Sequence, residues 1–183
     1  MISPHLARLR VPLGFVFGAA VFLLAHPTGS TLASGVPLAM LGELLRIWAA
    51  GHLNKSREVT ASGPYRWFAH PLYVGSSLMG LGLAIASGNP FVVILIAAYL
   101  GATLTAAVRE EEAFLRRTFG DRYEAYRRGR AAAGADTARR FSLAQVKANR
   151  EYRAVAGLAA AVLLLILKAT YNGAFWGAAA GPK

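Results

Sequence analysis

Five apolar runs, separated by short polar connectors, constrain this chain more than any other feature of it. They extend over Val11–Ala25, Thr31 to about Gly51, Leu72–Ser87, Pro90–Val108 and Ala154 to about Thr170. Crossing the hydrocarbon core takes roughly 20 apolar residues in a helix, because a spanning segment must satisfy its own backbone hydrogen bonds. The runs predict an all-α integral-membrane bundle of five transmembrane helices. Composition agrees: of 183 residues, 55% are hydrophobic and 16% charged, against about 25% charged in a typical soluble domain. A soluble globular enzyme, a disordered tail and a fibre are all disfavoured. The absence of cysteine excludes disulfides, thiolate metal sites and a cysteine nucleophile.

Charge placement predicts the topology. The chain carries 20 Lys and Arg against 9 Asp and Glu, a formal charge of +11. That balance could suit nucleic acid, but the basic residues sit between apolar runs, which points to a membrane surface instead. Arg8 and Arg10 precede the first run, Lys55, Arg57 and Arg66 fall between the second and third, and twelve more lie from Arg109 to Arg153. The connectors His26–Ser30 and Ser87–Pro90 contain no Lys or Arg. If the five spans alternate, every basic cluster falls on one side, which the positive-inside rule makes cytoplasmic. The N-terminus is then cytoplasmic and the C-terminus outside, in a prokaryotic inner (plasma) membrane. Only Gly88 and Asn89 separate the third and fourth spans, so these form a tight antiparallel hairpin. Residues 131–136 are small and read as a linker, followed by a surface helix from Ser142 to Arg153 that leads into the last span.

Polar residues near these spans need a reason. Glu43 and Arg46 are three apart and share a helix face, either as a packing ion pair or as the wall of a polar cavity. Between the second and third spans lies SGPYRWFAHPLYVG, Ser62–Gly75. Its Ser62-Gly63-Pro64 is turn chemistry, and Pro71 sits where a helix starts. Backbone N–H groups near His70, Leu72 and Tyr73 would be free at the positive end of a helix and could hold a carboxylate, with Tyr65 and Tyr73 around it. An interfacial aromatic belt explains the same residues without a ligand. Gly80 and Gly82 suit close approach of a neighbouring helix or a ligand. Glu110, Glu111 and Glu112 follow the fourth span directly, and the helix is expected to run on through them as a cytoplasmic amphipathic surface helix carrying Leu115, Phe119, Tyr123 and Tyr126 on one face. The hairpin should bring His70–Tyr73 and Glu111–Glu112 together, a pair of ends suited to a zwitterion. No metal-ligand spacing, Walker loop or nucleophile elbow is present, so no metal is expected.

GPYRWFAHPLYVG, the hairpin after it and REEEAFLRRTFGDRYEAYRR together resemble the isoprenylcysteine carboxyl methyltransferase family, whose arrangement the phospholipid N-methyltransferases share. LGELLRIWAAGHL, Leu41–Leu53, is similar to the family's preceding helix. The resemblance covers roughly residues 41–128 of a single membrane domain, residues 1–183, with residues 129–183 as a linker and an extra span. It implies a membrane methyltransferase that moves a methyl group from S-adenosylmethionine to a lipid or isoprenoid acceptor, a carboxylate or an amine, at the cytoplasmic face. Carried over residue by residue, it assigns cofactor binding to Val59, Thr60, Tyr65, His70, Pro71, Leu72, Tyr73, Gly80, Gly82, Glu111 and Glu112, and substrate binding to Arg109. For an amine acceptor, Glu112 or Tyr73 would be the candidate base. The family's RHP reads Ala69-His70-Pro71 here, with Arg66 as a possible substitute for the missing arginine. A similar block, RHPNYxGE, occurs in NADPH-dependent sterol-type reductases, but Leu72 and Ser76 replace its Asn and Glu. The other alternative is a non-catalytic, lipid-binding membrane protein. No nucleic-acid partner is expected, and the oligomeric state is open.

Overall fold

A computed structural model describes residues 16–55, 57–129 and 139–175. It is helical throughout, with no strand among the described residues. We number its helices in chain order: α1 (described over 16–24), α2 (Gly29–His52), α3 (Pro71–Ala86), α4 (Pro90–Phe119), α5 (Asp121–Arg127), α6 (Leu143–Ala148) and α7 (Tyr152–Tyr171), with a single 3-10 turn, Gly63–Arg66, before α3. Among the described residues three helices are long and apolar enough to cross a membrane: α2, α4 and α7. The most apolar stretches of α4 and α7 bury only 11% and 17% of their residues inside the protein, so the surface they present is one that lipid would cover. The third expected span is the apolar α3, but with 16 residues it reaches about 24 Å, short of the ~30 Å hydrocarbon core. The start of the first expected span, the linker at 131–136 and the chain's C-terminal end lie outside the described residues.

The polar connectors set the helix ends. Thr28 caps α2 in a reciprocal pair with Thr31, and Asn89 caps α4 by accepting from the Phe91 amide at 2.8 Å. Gly88 takes φ +65° in the hairpin turn. At this end of the bundle the helices tie to one another: His26 N donates to Ser87 O at 2.7 Å, Asn89 Nδ2 to Leu24 O at 2.7 Å, and Lys168 Nζ of α7 to Phe22 O and Leu23 O at 2.6 and 2.9 Å. The α1–α2 connector, the α3–α4 turn and the C-terminal part of α7 therefore meet at one end of the bundle.

Glycine makes the closest seam. A Cβ added at Gly42 of α2 would lie 2.4 Å from Met79 N and 2.6 Å from Gly75 O, and one at Gly35 would lie 2.4 Å from Gly82 O. The backbones of α2 and α3 thus touch where lipid-embedded helices gain most from packing.

Two expected helices are broken. The helix through the glutamates runs on to Phe119 as expected, but Gly120 at φ +46° ends it and turns α5 back. The expected Ser142–Arg153 helix is interrupted between α6 and α7 by Arg150 at φ +58°. Both breaks bend a polar segment over the end of the bundle that holds the site.

Candidate functional site

At the end of the bundle opposite the Gly88 turn, the connector between α2 and α3 meets the far end of α4. Gly63 sits directly over the His52 ring, with room for no side chain: a Cβ would approach its Cγ to 2.6 Å. Tyr126 of α5 pins the connector from the other side by donating to Tyr65 O at 2.7 Å. Between these elements lies a cleft of about 540 Å³, within the ~300–1,000 Å³ usual for a cofactor-sized ligand. Val59, Thr60, Tyr65, Leu72, Tyr73 and Glu111 all line it.

His70 and the two glutamates come together as the hairpin predicts. His70 Nδ1 is 3.5 Å from Glu111 Oε2, and His70 Nε2 is 3.5 Å from Glu112 Oε1. Facing a carboxylate with each ring nitrogen favours the imidazolium, so the His70 pKa is raised above its ordinary 6.5, chiefly by the hydrogen bond to Glu111 and against the opposing effect of burial. The stability His70 adds is then fully present below 6.5 and is lost as pH rises through the raised folded-state value. We expect the difference in melting temperature between the wild type and His70→Gln to shrink as pH goes from about 6 to about 9. A difference that stays constant or widens over that range would refute the charged pairing.

The two glutamates divide their work. Glu111 lines the cleft and also engages the Tyr73 hydroxyl. Glu112 turns to the scaffold: its Oε2 is 3.4 Å from Arg127 Nη1 and 3.6 Å from Arg116 Nη2. Of the two candidate bases for an amine acceptor, only Tyr73 faces the cleft. Burial raises the pKa of Tyr65, and pushes Tyr126 up to about 12, so both hydroxyls remain donors at neutral pH.

Other expected residues lie elsewhere. Pro71 is buried as the first residue of α3, and the Tyr73 amide is occupied by His70 O at 3.0 Å. Gly80 and Gly82 lie outside the cleft: an added Cβ would meet the Leu100 side chain from Gly80, and Ala39 N with Gly35 O from Gly82. Two residues apart on a helix means about 200° of rotation, so each faces a different neighbour. Arg109 and Arg66 are exposed and neither lines the cleft, whereas Ala69 does.

The sequence reading missed the C-terminal wall. Asn149 and Glu151 line the cleft. Asn149 Nδ2 donates to Ala50 O and Leu53 O at 2.8 and 2.9 Å, and Gln145 Nε2 to Leu53 O at 2.6 Å, so α6 caps the carbonyl end of α2. Glu151 Oε1 lies 2.7 Å from Arg46 Nη2. Arg46 also reaches Glu43 at 3.5 Å and hydrogen-bonds Ser76. The Glu43–Arg46 pair is thus both a packing pair and, through Glu151, the back of a polar cavity. A lone acid, Glu151, directly before an apolar run, with the Glu43–Arg46 pair inside another span, was the available signal.

Residues 30–122, about half of the chain, match the family model for phospholipid methyltransferases. The chain belongs to that family. It is 34% identical over 79 residues to protein-S-isoprenylcysteine O-methyltransferase of Schizosaccharomyces pombe, covering 43% of this chain and 34% of that protein. It is also 34% identical over 129 residues to the cobalt-zinc-cadmium resistance protein CzcN of Cupriavidus metallidurans, covering 65% of this chain and 58% of that one. The nickel-cobalt-cadmium resistance protein NccN of Alcaligenes xylosoxydans xylosoxydans is 31% identical over 87 residues, 46% of this chain and 39% of its own. The chain thus spans between a third and three-fifths of the length of these relatives. No solved structure matches it. No group of three or more His, Asp or Glu side chains able to hold a metal ion occurs among the described residues. In this phospholipid methyltransferase family member, His70, Tyr73 and Glu111 fall inside the matched region, while Tyr123, Asn149 and Glu151 fall outside it.

Proposed function

We propose that the protein is an S-adenosylmethionine-dependent methyltransferase acting on a lipid or isoprenoid acceptor at the cytoplasmic face of a five-span membrane bundle. The observation that carries this reading is the cleft at the end of the α3–α4 hairpin, where the two sequence blocks shared with the family meet through His70 and Glu111. The residues suit the cofactor. Glu111 offers a carboxylate to a cation, Tyr65 and Tyr73 offer rings, and Tyr123, only 1% exposed, lines the cleft with a hydroxyl that has no hydrogen-bond partner among the described residues. A buried hydroxyl without a partner is costly unless a ligand satisfies it.

When bound, S-adenosylmethionine supplies a methyl group already activated on a positively charged sulfur. What remains for the protein is to orient, to exclude water and to hold an acceptor in line. A carboxylate acceptor needs no base. An amine must first lose a proton, and Tyr73 is the group placed to take part.

An apolar groove of about 370 Å³ runs between α3 and α4. Its Ser77 bonds the carbonyl of Tyr73 at 3.0 Å, so groove and cleft adjoin along the same helix. This supports sideways entry of the acceptor's apolar tail from the bilayer. Gly101 lies in the groove, and an added Cβ there meets nothing within 4 Å. Gly101→Phe should fold, bind S-adenosylmethionine as the wild type does, and raise the KM for a lipid acceptor about tenfold or more, as expected when a buried chain loses one or two kcal/mol of contact. An unchanged KM would remove the groove from the pathway.

Calorimetric titration of the detergent-purified protein with S-adenosylmethionine, then with NADPH, tests the functional reading itself. Binding of the first and not the second, followed by methyl transfer to a lipid extract, is the expected result. Binding of NADPH alone would move the assignment to a reductase, and binding of neither to a non-catalytic role.

A further inference from the structure

The Glu43–Arg46–Glu151 cluster carries one carboxylate more than it has cations. Glu43 is 5% exposed and Glu151 6%, and among the described residues neither has a salt-bridge partner other than Arg46. Both Glu43 oxygens and Glu151 Oε1 lack a properly aligned hydrogen bond. Buried ions are tolerable when their charges balance, and an excess charge calls for a further partner. Glu43 is enclosed between helices, whereas Glu151 lines the cleft, so the cleft is where a balancing cation can arrive. The same cleft is lined by the rings of Tyr65, Tyr73, Phe114, Tyr123 and Tyr126, and its one basic residue is the exposed Lys55. Carboxylates set among aromatic faces recognise organic cations, since ring faces attract positive charge that is spread over alkyl groups.

We infer that Glu151, contributed by a segment outside the family match, is the counter-ion for an organic cation held in the cleft: the sulfonium or ammonium of the methyl donor, or an ammonium head group on the acceptor. The inference rests on the methyltransferase reading for the identity of the ligand, but its chemistry can be tested without it. The sign of the effect follows from charge. Glu151→Gln removes the excess carboxylate and leaves Arg46 balanced by Glu43, so the buried cluster becomes neutral and the cleft loses one carboxylate from a lining that keeps Glu58, Glu110 and Glu111.

The decisive experiment compares the wild type, Glu151→Gln and Glu151→Asp. Each is titrated with S-adenosylmethionine and with S-adenosylhomocysteine, whose sulfur is neutral. A loss of about tenfold for the first ligand only, restored in part by Asp, assigns Glu151 to the sulfonium. An equal loss for both assigns it to the donor's ammonium. No loss for either, with a raised KM for phosphatidylethanolamine vesicles, assigns it to the acceptor. Wild-type affinities and KM in Glu151→Gln would overturn the proposal. In parallel, tetramethylammonium chloride should raise the melting temperature of the wild type more than sodium chloride does at equal ionic strength, and this excess should shrink in Glu151→Gln. An equal response in both proteins would also overturn it. If the substitution prevents folding, the wild-type comparison of the two salts decides: no excess stabilisation, no cation site. Wild-type protein that ignores S-adenosylmethionine but responds to tetramethylammonium would sink the functional reading and leave the site standing.

Discussion

Glu111→Gln is expected to raise the Kd for S-adenosylmethionine by about ten- to a hundredfold, the cost of removing one charge-assisted hydrogen bond from a partly enclosed site. Glu111 is the one carboxylate that lines the cleft, pairs with His70 at 3.5 Å and lies within the family match. The loss has two parts. A cationic ligand loses one of the carboxylates that face it, and His70 loses one of the two carboxylates that hold its ring. Glu112→Gln separates these parts. Its carboxylate serves Arg127, Arg116 and His70 on the scaffold side and does not line the cleft, so it should reduce melting temperature while changing Kd by less than about threefold, an indirect effect under ~1 kcal/mol. Equal Kd effects of the two substitutions, measured by calorimetry, would show that the division between ligand-facing and scaffold-facing glutamate is wrong.

Gly42→Leu should abolish the folded protein. The added Cβ alone would press to 2.4 Å from a backbone nitrogen of α3, and backbone cannot move aside as a flexible side chain can. The cost should exceed the ~1–3 kcal/mol of ordinary overpacking, because the whole α2–α3 seam must part. The readouts are recovery of monodisperse protein after detergent extraction and helical content. Gly157→Leu is the control: it lies on α7, where an added Cβ meets nothing within 4 Å. If both variants were recovered equally, the close seam would not be a determinant of the fold.

The parts of this molecule that sequence made legible are those decided locally. A two-residue turn flanked by apolar runs leaves an antiparallel hairpin as the only arrangement, and from it follows the meeting of His70 with Glu111 across 41 positions. Helix faces were less legible. Among lipid chains an apolar residue is equally at home against protein or bilayer, so nothing in Gly80-Leu81-Gly82 says that one glycine meets α4 and the other α2. The break at Gly120 was hidden because its neighbours continue a helical pattern through Tyr126. The contribution of Glu151 was hidden by distance. It meets Arg46 across 105 positions, and no local pattern ties an acid in a polar connector to an arginine in another span.

The capping of α2 by Asn149 and Gln145 also has a consequence for how the protein is made. The carbonyls of Ala50 and Leu53 are satisfied by side chains 99 and 96 positions further on. During synthesis, at about 5–20 residues per second, the second helix must wait roughly 5–20 s in the bilayer with that end bound only to water. The cleft lacks one wall for the whole interval, so the nascent chain cannot commit a ligand-binding site until the ribosome has passed the last polar segment. Insertion comes first and completion of the site last, and a premature stop anywhere before residue 145 would leave a polypeptide that enters the membrane with its pocket unfinished.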